Sequence, residues 1–254
     1  MTETMNEEIK APNAWLMMLE ARAPWELAAL GAALPLLRRA PSGDTHPVMV
    51  FPGLGASDLS TLPLRNLLDS LGHRTQPWHQ GLNFGPRPGV LEQCEADVRE
   101  TYARLHRRVS LVGWSLGGLY AREVAKRVPE LVRCVVTLGT PFAGHPRATN
   151  AWKVFEMLSG QDSHDDEQLA PLREPPPVPC TSIYSKTDGV VAWQCSLNPD
   201  TELAENVEVQ ASHIGLGVNP LAIYALTDRL AQPDFRGTRW QKFSPPATLR
   251  WLYR

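Results

Sequence analysis

Cysteine is scarce in this chain, neither sign of charge is in surplus, and no apolar run is long enough to cross a bilayer. Each absence removes a class of protein. The four cysteines, Cys94, Cys134, Cys180 and Cys195, show no CxxC spacing and no histidines at zinc-site intervals, so neither a disulfide framework nor a zinc site is implied. They read as reduced, mostly buried thiols. The 25 Lys and Arg against 27 Asp and Glu leave a formal charge of -2, without the clustered basic surface that nucleic acid requires. The longest apolar stretch, Leu27 to Leu37, contains Pro35 and falls short of the roughly 20 residues of a membrane span. Glu3, Glu7 and Glu8 stand where a secretory signal would be basic, so a cytoplasmic location is expected. With no P-loop, no GxGxxG after a strand and no HExxH, no nucleotide or metal cofactor is implied.

What the chain has in excess is proline, 23 residues against 18 glycines in 254, where about 5% is usual. That excess predicts sharply bounded elements and many loops. A 43% hydrophobic content is enough to build a globular core, and the length suits one sizeable domain.

Two helices are expected first, from Asn13 to about Arg22 and from Trp25 to about Arg39, with Pro24 starting the second and Pro41 ending it. Apolar runs closed by Pro or Gly then mark strands at His46–Gly53, Val109–Trp114, Cys134–Gly139, Thr181–Ser185 and Val207–Gln210. A weaker strand, Arg74 to His79, contains Pro77 and is placed at a sheet edge. Helical periodicity fills Leu59–Leu71, Gly89–His106, Leu116–Arg127 and Pro220–Leu230, with a short helix at Trp152–Leu158. Apolar strands alternating with helices predict an α/β fold: a mostly parallel central sheet of about six strands with helices on both faces. Ligands in such sheets bind beyond the carboxyl ends of the strands.

At those ends a serine, an acid and a histidine appear in succession: Ser115 after Trp114, Asp188 after Ser185, and His213 after Gln210. Gly113-x-Ser115-x-Gly117 is a nucleophile elbow, a tight strand-to-helix turn on which only small residues two positions either side avoid collision. The next N–H, at a helix N-terminus, can stabilise an oxyanion. Rival acids Asp162, Asp165, Asp166 and Asp200 follow no strand directly. Of the seven histidines, His46 precedes a strand, His73 and His106 follow helices, and His164 lies in an acidic loop. His79, His145 and His213 lie near the right sheet edge, and of these His213 follows the last strand.

With Val50-Phe51-Pro52-Gly53-Leu54, Gly113 to Gly118, Val136 to Pro141, Thr187 to Val191 and Ser212-His213, the chain resembles the α/β-hydrolase superfamily. Bacterial lipases and esterases are the nearest branch, and the stretch Leu138 to Gly144 is particularly lipase-like. The resemblance covers about Pro47 to Leu230 and implies an ester hydrolase that needs no cofactor. It implies Ser115 as nucleophile, His213 as general base and acid, Asp188 as orienter, and the backbone N–H groups of Leu54 and Leu116 as oxyanion hole. The family often carries His-Gly where this chain has Pro52-Gly53, which removes a side chain that helps hold the loop.

The resemblance also implies the domain plan: an N-terminal helical segment (1–45) packed on the core, a hydrolase domain (46–235) with a lid inserted at about 142–179, and an irregular tail (236–254). Phe142, Trp152, Phe155 and Leu158 are expected to line an acyl pocket, with Asn83 in its wall. The apolar N-terminal helices suggest either cover for one sheet face or contact with a membrane surface. The expected substrate is an uncharged, fairly apolar small-molecule or lipid ester. An acyltransferase, a membrane-surface lipid deacylase and a non-catalytic binding protein on the same scaffold are the alternatives.

Overall fold

The computed structural model describes residues 9–144, 146–159, 172–236 and 239–253. In chain order the elements are α1 (Ala14–Leu19), α2 (Ala23–Leu37), β1 (Pro47–Phe51), α3 (Asp58–Ser70), β2 (Arg74–Gln76), α4 (Val90–Leu105), β3 (Val109–Trp114), α5 (Gly117–Arg127), β4 (Val132–Leu138), α6 (Trp152–Ser159), β5 (Cys180–Tyr184), β6 (Ala204–Glu208) and α7 (Pro220–Ala231). The six strands form one sheet in the order β2-β1-β3-β4-β5-β6, and every neighbouring pair is parallel.

The sheet is covered on both faces because its central strands are apolar on both. Val48 and Val50 of β1, Val112 of β3, and Val136 and Leu138 of β4 pack with Leu30 and Leu37 of α2, Leu64 and Leu68 of α3, and Ala222 to Leu230 of α7. The alternate set, Met49, Phe51, Leu111 and Val135, packs with Val98 of α4 and with Ala121 and Val124 of α5. This is the period-2 alternation of a strand, with both phases buried. The N-terminal helices cover less than their composition suggests. Leu30 and Leu37 reach the core, while Trp15 and Trp25 stay 64% and 76% exposed. The C-terminal tail is irregular but tied down: Phe243 and Tyr253 pack on the core, and the Tyr253 hydroxyl donates to the Leu221 carbonyl at 2.8 Å.

Three boundaries differ from expectation. β2 stops at Gln76, because the Asp58 carboxylate takes the N–H groups of Trp78 at 3.0 Å and His79 at 3.3 Å out of the ladder. β4 begins at Val132 rather than Cys134, with Arg133 buried through bonds to the Asp44 carboxylate and the Gln232 carbonyl. β6 begins at Ala204 rather than Val207 and ends at Glu208; Glu205 is buried by pairing with Arg229 at 3.1 Å and with the Thr181 hydroxyl at 2.7 Å, while Asn206 is exposed. All four cysteines are free and buried. Among the described residues, no helix is long and apolar enough to cross a membrane.

The amino ends of the strands carry a buried polar knot. His46 joins Asp44 at 2.5 Å and Ser110 at 2.8 Å, and stacks edge to face on His73 with centroids 5.5 Å apart. Burial, with Arg133 adding, outweighs Asp44 and holds the His46 pKa down at about 4. Burial does the same to His73, also at about 4. In the unfolded chain both would bind protons near 6.5, so the unfolded state holds more protons between pH 6.5 and 4 and stability falls as pH drops through that window. Each histidine should remove about 3 kcal/mol by pH 4. Urea denaturation at pH 7 and pH 4.5 should show this loss, and His73→Leu should remove about half of it. Equal wild-type stability at both pH values would refute the assignment.

Candidate active site

The carboxyl ends of β3, β5 and β6 meet at one point. The chain leaves β3 through Ser115, whose φ of 52° is left-handed, a conformation L-residues avoid unless the surroundings enforce it. Two close approaches explain the flanking glycines: a methyl on Gly113 would overlap Gly118, and one on Gly117 would overlap the Phe51 carbonyl. The Ser115 N–H is anchored to the Leu138 carbonyl at 2.8 Å, and α5 starts two residues later.

The loop after β5 presents Asp188. Its Oδ1 accepts the N–H groups of Val190 and Val191, both at 2.8 Å. Its Oδ2 lies 2.6 Å from His213 Nδ1, and His213 Nε2 lies 2.9 Å from Ser115 Oγ. Nδ1–H therefore donates to the carboxylate and Nε2 accepts from the serine hydroxyl. Asp188 and His213 are buried. Burial alone would pull the His213 pKa down, but the Asp188 carboxylate, with Glu20 adding, outweighs it and raises the pKa above the ordinary 6.5.

The loop after β1 lies against the serine. A Cβ on Gly53 would stand 3.3 Å from Ser115 Cβ, and one on Gly117 would overlap the Pro52 carbonyl, so the stretch that leads into Leu54 runs along the turn that carries Leu116. Among the described residues, neither N–H is bonded to an acceptor. Asn83 shapes this loop. Its Nδ2 donates to the Pro52 carbonyl at 2.8 Å, its carbonyl accepts from Gly55 N–H at 2.7 Å, and its N–H donates to the Ala56 carbonyl at 2.8 Å. Asn83 is fully buried, so it is a brace for the loop and not the pocket-wall contact the sequence suggested. Asn83→Ala should lower kcat about ten- to a hundredfold with little change in KM, short of losing an oxyanion donor outright. A kcat within twofold of wild type would dismiss the brace.

Other expected pocket residues fare differently. Phe142 is only 2% exposed, with the buried Arg122 guanidinium 3.7 Å above its ring, so it belongs to the core and not to an acyl pocket. Trp152 and Phe155 are half-buried on α6. The Leu158 side chain and residues 160–171, with the acidic run Asp162 to Glu167, lie outside the described residues, as does His145. Past that stretch Arg122 grips the chain through the carbonyls of residues 172–174, the bond to Glu174 being 3.0 Å. Trp114, read from sequence as buried against the sheet, donates its indole N–H to the His213 carbonyl at 3.1 Å.

The same trio of residue types occurs again in the Asp44–His46–Ser110 knot. There both His46 and Ser110 have no exposed surface, and they lie at the amino ends of the strands. A substrate carbonyl cannot reach that hydroxyl. Among the described residues, no cluster of His, Cys, Asp or Glu could hold a metal ion.

A parallel sheet with a serine elbow and an acid and histidine on the following strand ends defines a hydrolase scaffold. Residues 14–253 match the model of the alpha/beta hydrolase family, and the chain belongs to that family. Solved structures agree in fold. Aspergillus fumigatus lipase B is 19% identical with a TM-score of 0.60, over 75% of this chain and 53% of that one; the chain thus spans about half of that lipase. The Bacillus licheniformis lipase BlEst2 is 18% identical with a TM-score of 0.53, over 72% and 91% of the two chains. A pyrethroid hydrolase from Sphingobium faniae is 18% identical with a TM-score of 0.51, over 73% and 96%. No curated protein matches the sequence.

Proposed function

We propose that this hydrolase cleaves carboxylic esters through an acyl-enzyme on Ser115. The observation that carries the reading is the hydrogen-bond chain from Asp188 through His213 to a serine held in a left-handed elbow. His213 Nε2 takes the hydroxyl proton as Ser115 Oγ attacks the substrate carbonyl. The N–H groups of Leu54 and Leu116 receive the oxyanion. Collapse expels the alkoxide, which takes the proton from His213 and leaves as the alcohol. Water then attacks the acyl-enzyme, passing its proton to the same nitrogen, and the acid departs as Oγ is reprotonated. Asp188 keeps Nδ1 protonated throughout, so the receiving nitrogen always faces the serine. Because the base must be neutral, the raised His213 pKa places the acid limb of kcat/KM above pH 6.5.

Uncharged, fairly apolar esters suit the surroundings, since Ile214, the residue after His213, is 54% exposed. Exposed Trp15, Met18 and Trp25 favour lipid-borne esters as a second reading. The test is a chain-length series of p-nitrophenyl esters, alongside a fluorophosphonate probe followed by peptide mapping. Labelling at Ser115 with turnover of one chain-length class supports the reading. Preference for the same ester in vesicles over the soluble form selects the second. Neither labelling nor turnover sinks both.

A further inference from the structure

We propose that the segment from Glu20 to Glu26, a 3-10 turn after α1 (Glu20–Arg22) running into the first turn of α2, is a clamp on the catalytic pair, with Glu20 as its central positioning residue. The proposal rests on the reading of Asp188 and His213 given above. Its basis is that the residues on both sides of each are held by three side chains of this one segment. Thr187, before Asp188, receives Arg22: Nη2 donates to its carbonyl at 3.0 Å and to its hydroxyl at 2.7 Å. Gly189, after Asp188, donates its N–H to Glu20 Oε1 at 2.8 Å. Ser212, before His213, gives its N–H and its hydroxyl to Glu26, both at 2.8 Å. Ile214, after His213, donates its N–H to Glu20 Oε2 at 2.9 Å, and His213 donates its own N–H to Oε1 at 2.9 Å. Arg22 Nε closes the set on Glu26 at 3.1 Å.

Glu20 is 6% exposed, and among the described residues its oxygens accept only backbone N–H bonds. A buried carboxylate is costly unless its hydrogen bonds are satisfied. Here three N–H donors satisfy it, and they come from the two loops whose separation sets the Asp188–His213 bond. The glycines beside the pair fit the same design. A methyl on Gly189 would overlap the Leu16 carbonyl, and one on Gly215 would overlap the Glu26 carboxylate. The loops are thus shaped to let the N-terminal segment close on them. A segment that merely shielded the sheet would need neither the buried acid nor the glycines.

The test is Glu20→Gln in the full chain. Glutamine keeps the volume but brings an NH2 donor to the Gly189 and His213 N–H groups or to the Ile214 N–H, so at least one bond is lost. The negative charge beside His213 goes with it. Ester kcat should fall about ten- to a hundredfold, the size expected when reacting groups are displaced by a fraction of an ångström to about 1 Å. Removing the charge makes the imidazolium less favourable, so the acid limb should move to lower pH. The His213 ring titration, followed by NMR, should move the same way independently of turnover. Glu26→Gln, at a side chain that bonds the histidine loop directly and reaches the Asp188 loop only through Arg22, should lower kcat by a smaller factor and is the fallback if Glu20→Gln fails to fold. A merely structural staple would lower Tm without moving the titration. Wild-type kcat together with an unmoved titration in a folded Glu20→Gln protein overturns the clamp. Absence of Ser115 labelling in the wild type instead overturns the hydrolytic reading, and the NMR titration still decides the clamp.

Discussion

Ser115→Ala is expected to lower ester turnover on the order of 10⁴-fold or more, because members of such a trio act as a unit. No neighbouring hydroxyl can take over. Ser212 is turned away, bonded to Glu26 at 2.8 Å, and Thr140 is fully buried. On the proposed mechanism, the turnover that survives would come from the Leu54 and Leu116 N–H groups and from substrate binding. Adding His213→Ala to Ser115→Ala should therefore cost little more, since the base has nothing left to deprotonate. Alanine occupies the same left-handed position and removes one oxygen, so Tm should hold within a few degrees. The measurement is kcat/KM on a short p-nitrophenyl ester with the double variant alongside. A single variant at near wild-type rate would remove Ser115 from the chemistry.

The fold was legible where burial is apolar and lost where burial is polar. β1, β3 and β5, and β4 from Cys134 onward, read directly, because each is mostly a run of apolar or small residues buried on both faces; Arg133 hides the first two residues of β4. The start of β6 did not, because Glu205 and Asn206 look like loop residues. Glu205 is made tolerable by Arg229 and Thr181, both 24 residues away, and Asn206, exposed in the strand, bonds the Asn198 carbonyl eight residues back. Phe142 was misread for a similar reason: nothing local shows that a buried arginine from α5 will cover its ring.

The site divides the same way. Ser115, Asp188 and His213 each follow a strand, and a parallel sheet brings strand ends together whatever the loops do. Glu20 carries no such mark. It is one acid in an amphipathic turn, and its three acceptor bonds reach residues 169, 193 and 194 positions away. Asn83 is intermediate. Its place near the site was readable, but its direction depends on a backbone carbonyl at Pro52 that no sequence pattern encodes.

Asp188→Asn should be nearly as severe as loss of the serine, roughly 10⁴-fold in kcat by analogy with the serine-protease trio. The reason lies in which oxygen does what. Oδ1 is committed to the N–H groups of Val190 and Val191 at 2.8 Å, so an asparagine must place its carbonyl there and turn its NH2 toward His213. That NH2 can only donate. His213 Nδ1 must then accept, which moves the imidazole proton to Nε2 and points an N–H at Ser115 Oγ. The nucleophile would face a donor where it needs a base. The charge is lost as well, so the His213 pKa should fall and the acid limb should shift to lower pH while the plateau collapses. Steady-state kinetics from pH 5 to 9, with Tm as control, measures both effects. Glu20 offers no relief, because it bonds the backbone of His213 and not its ring. A loss below tenfold in a folded Asp188→Asn protein would mean that another acid orients the imidazole, and the trio would have to be redrawn.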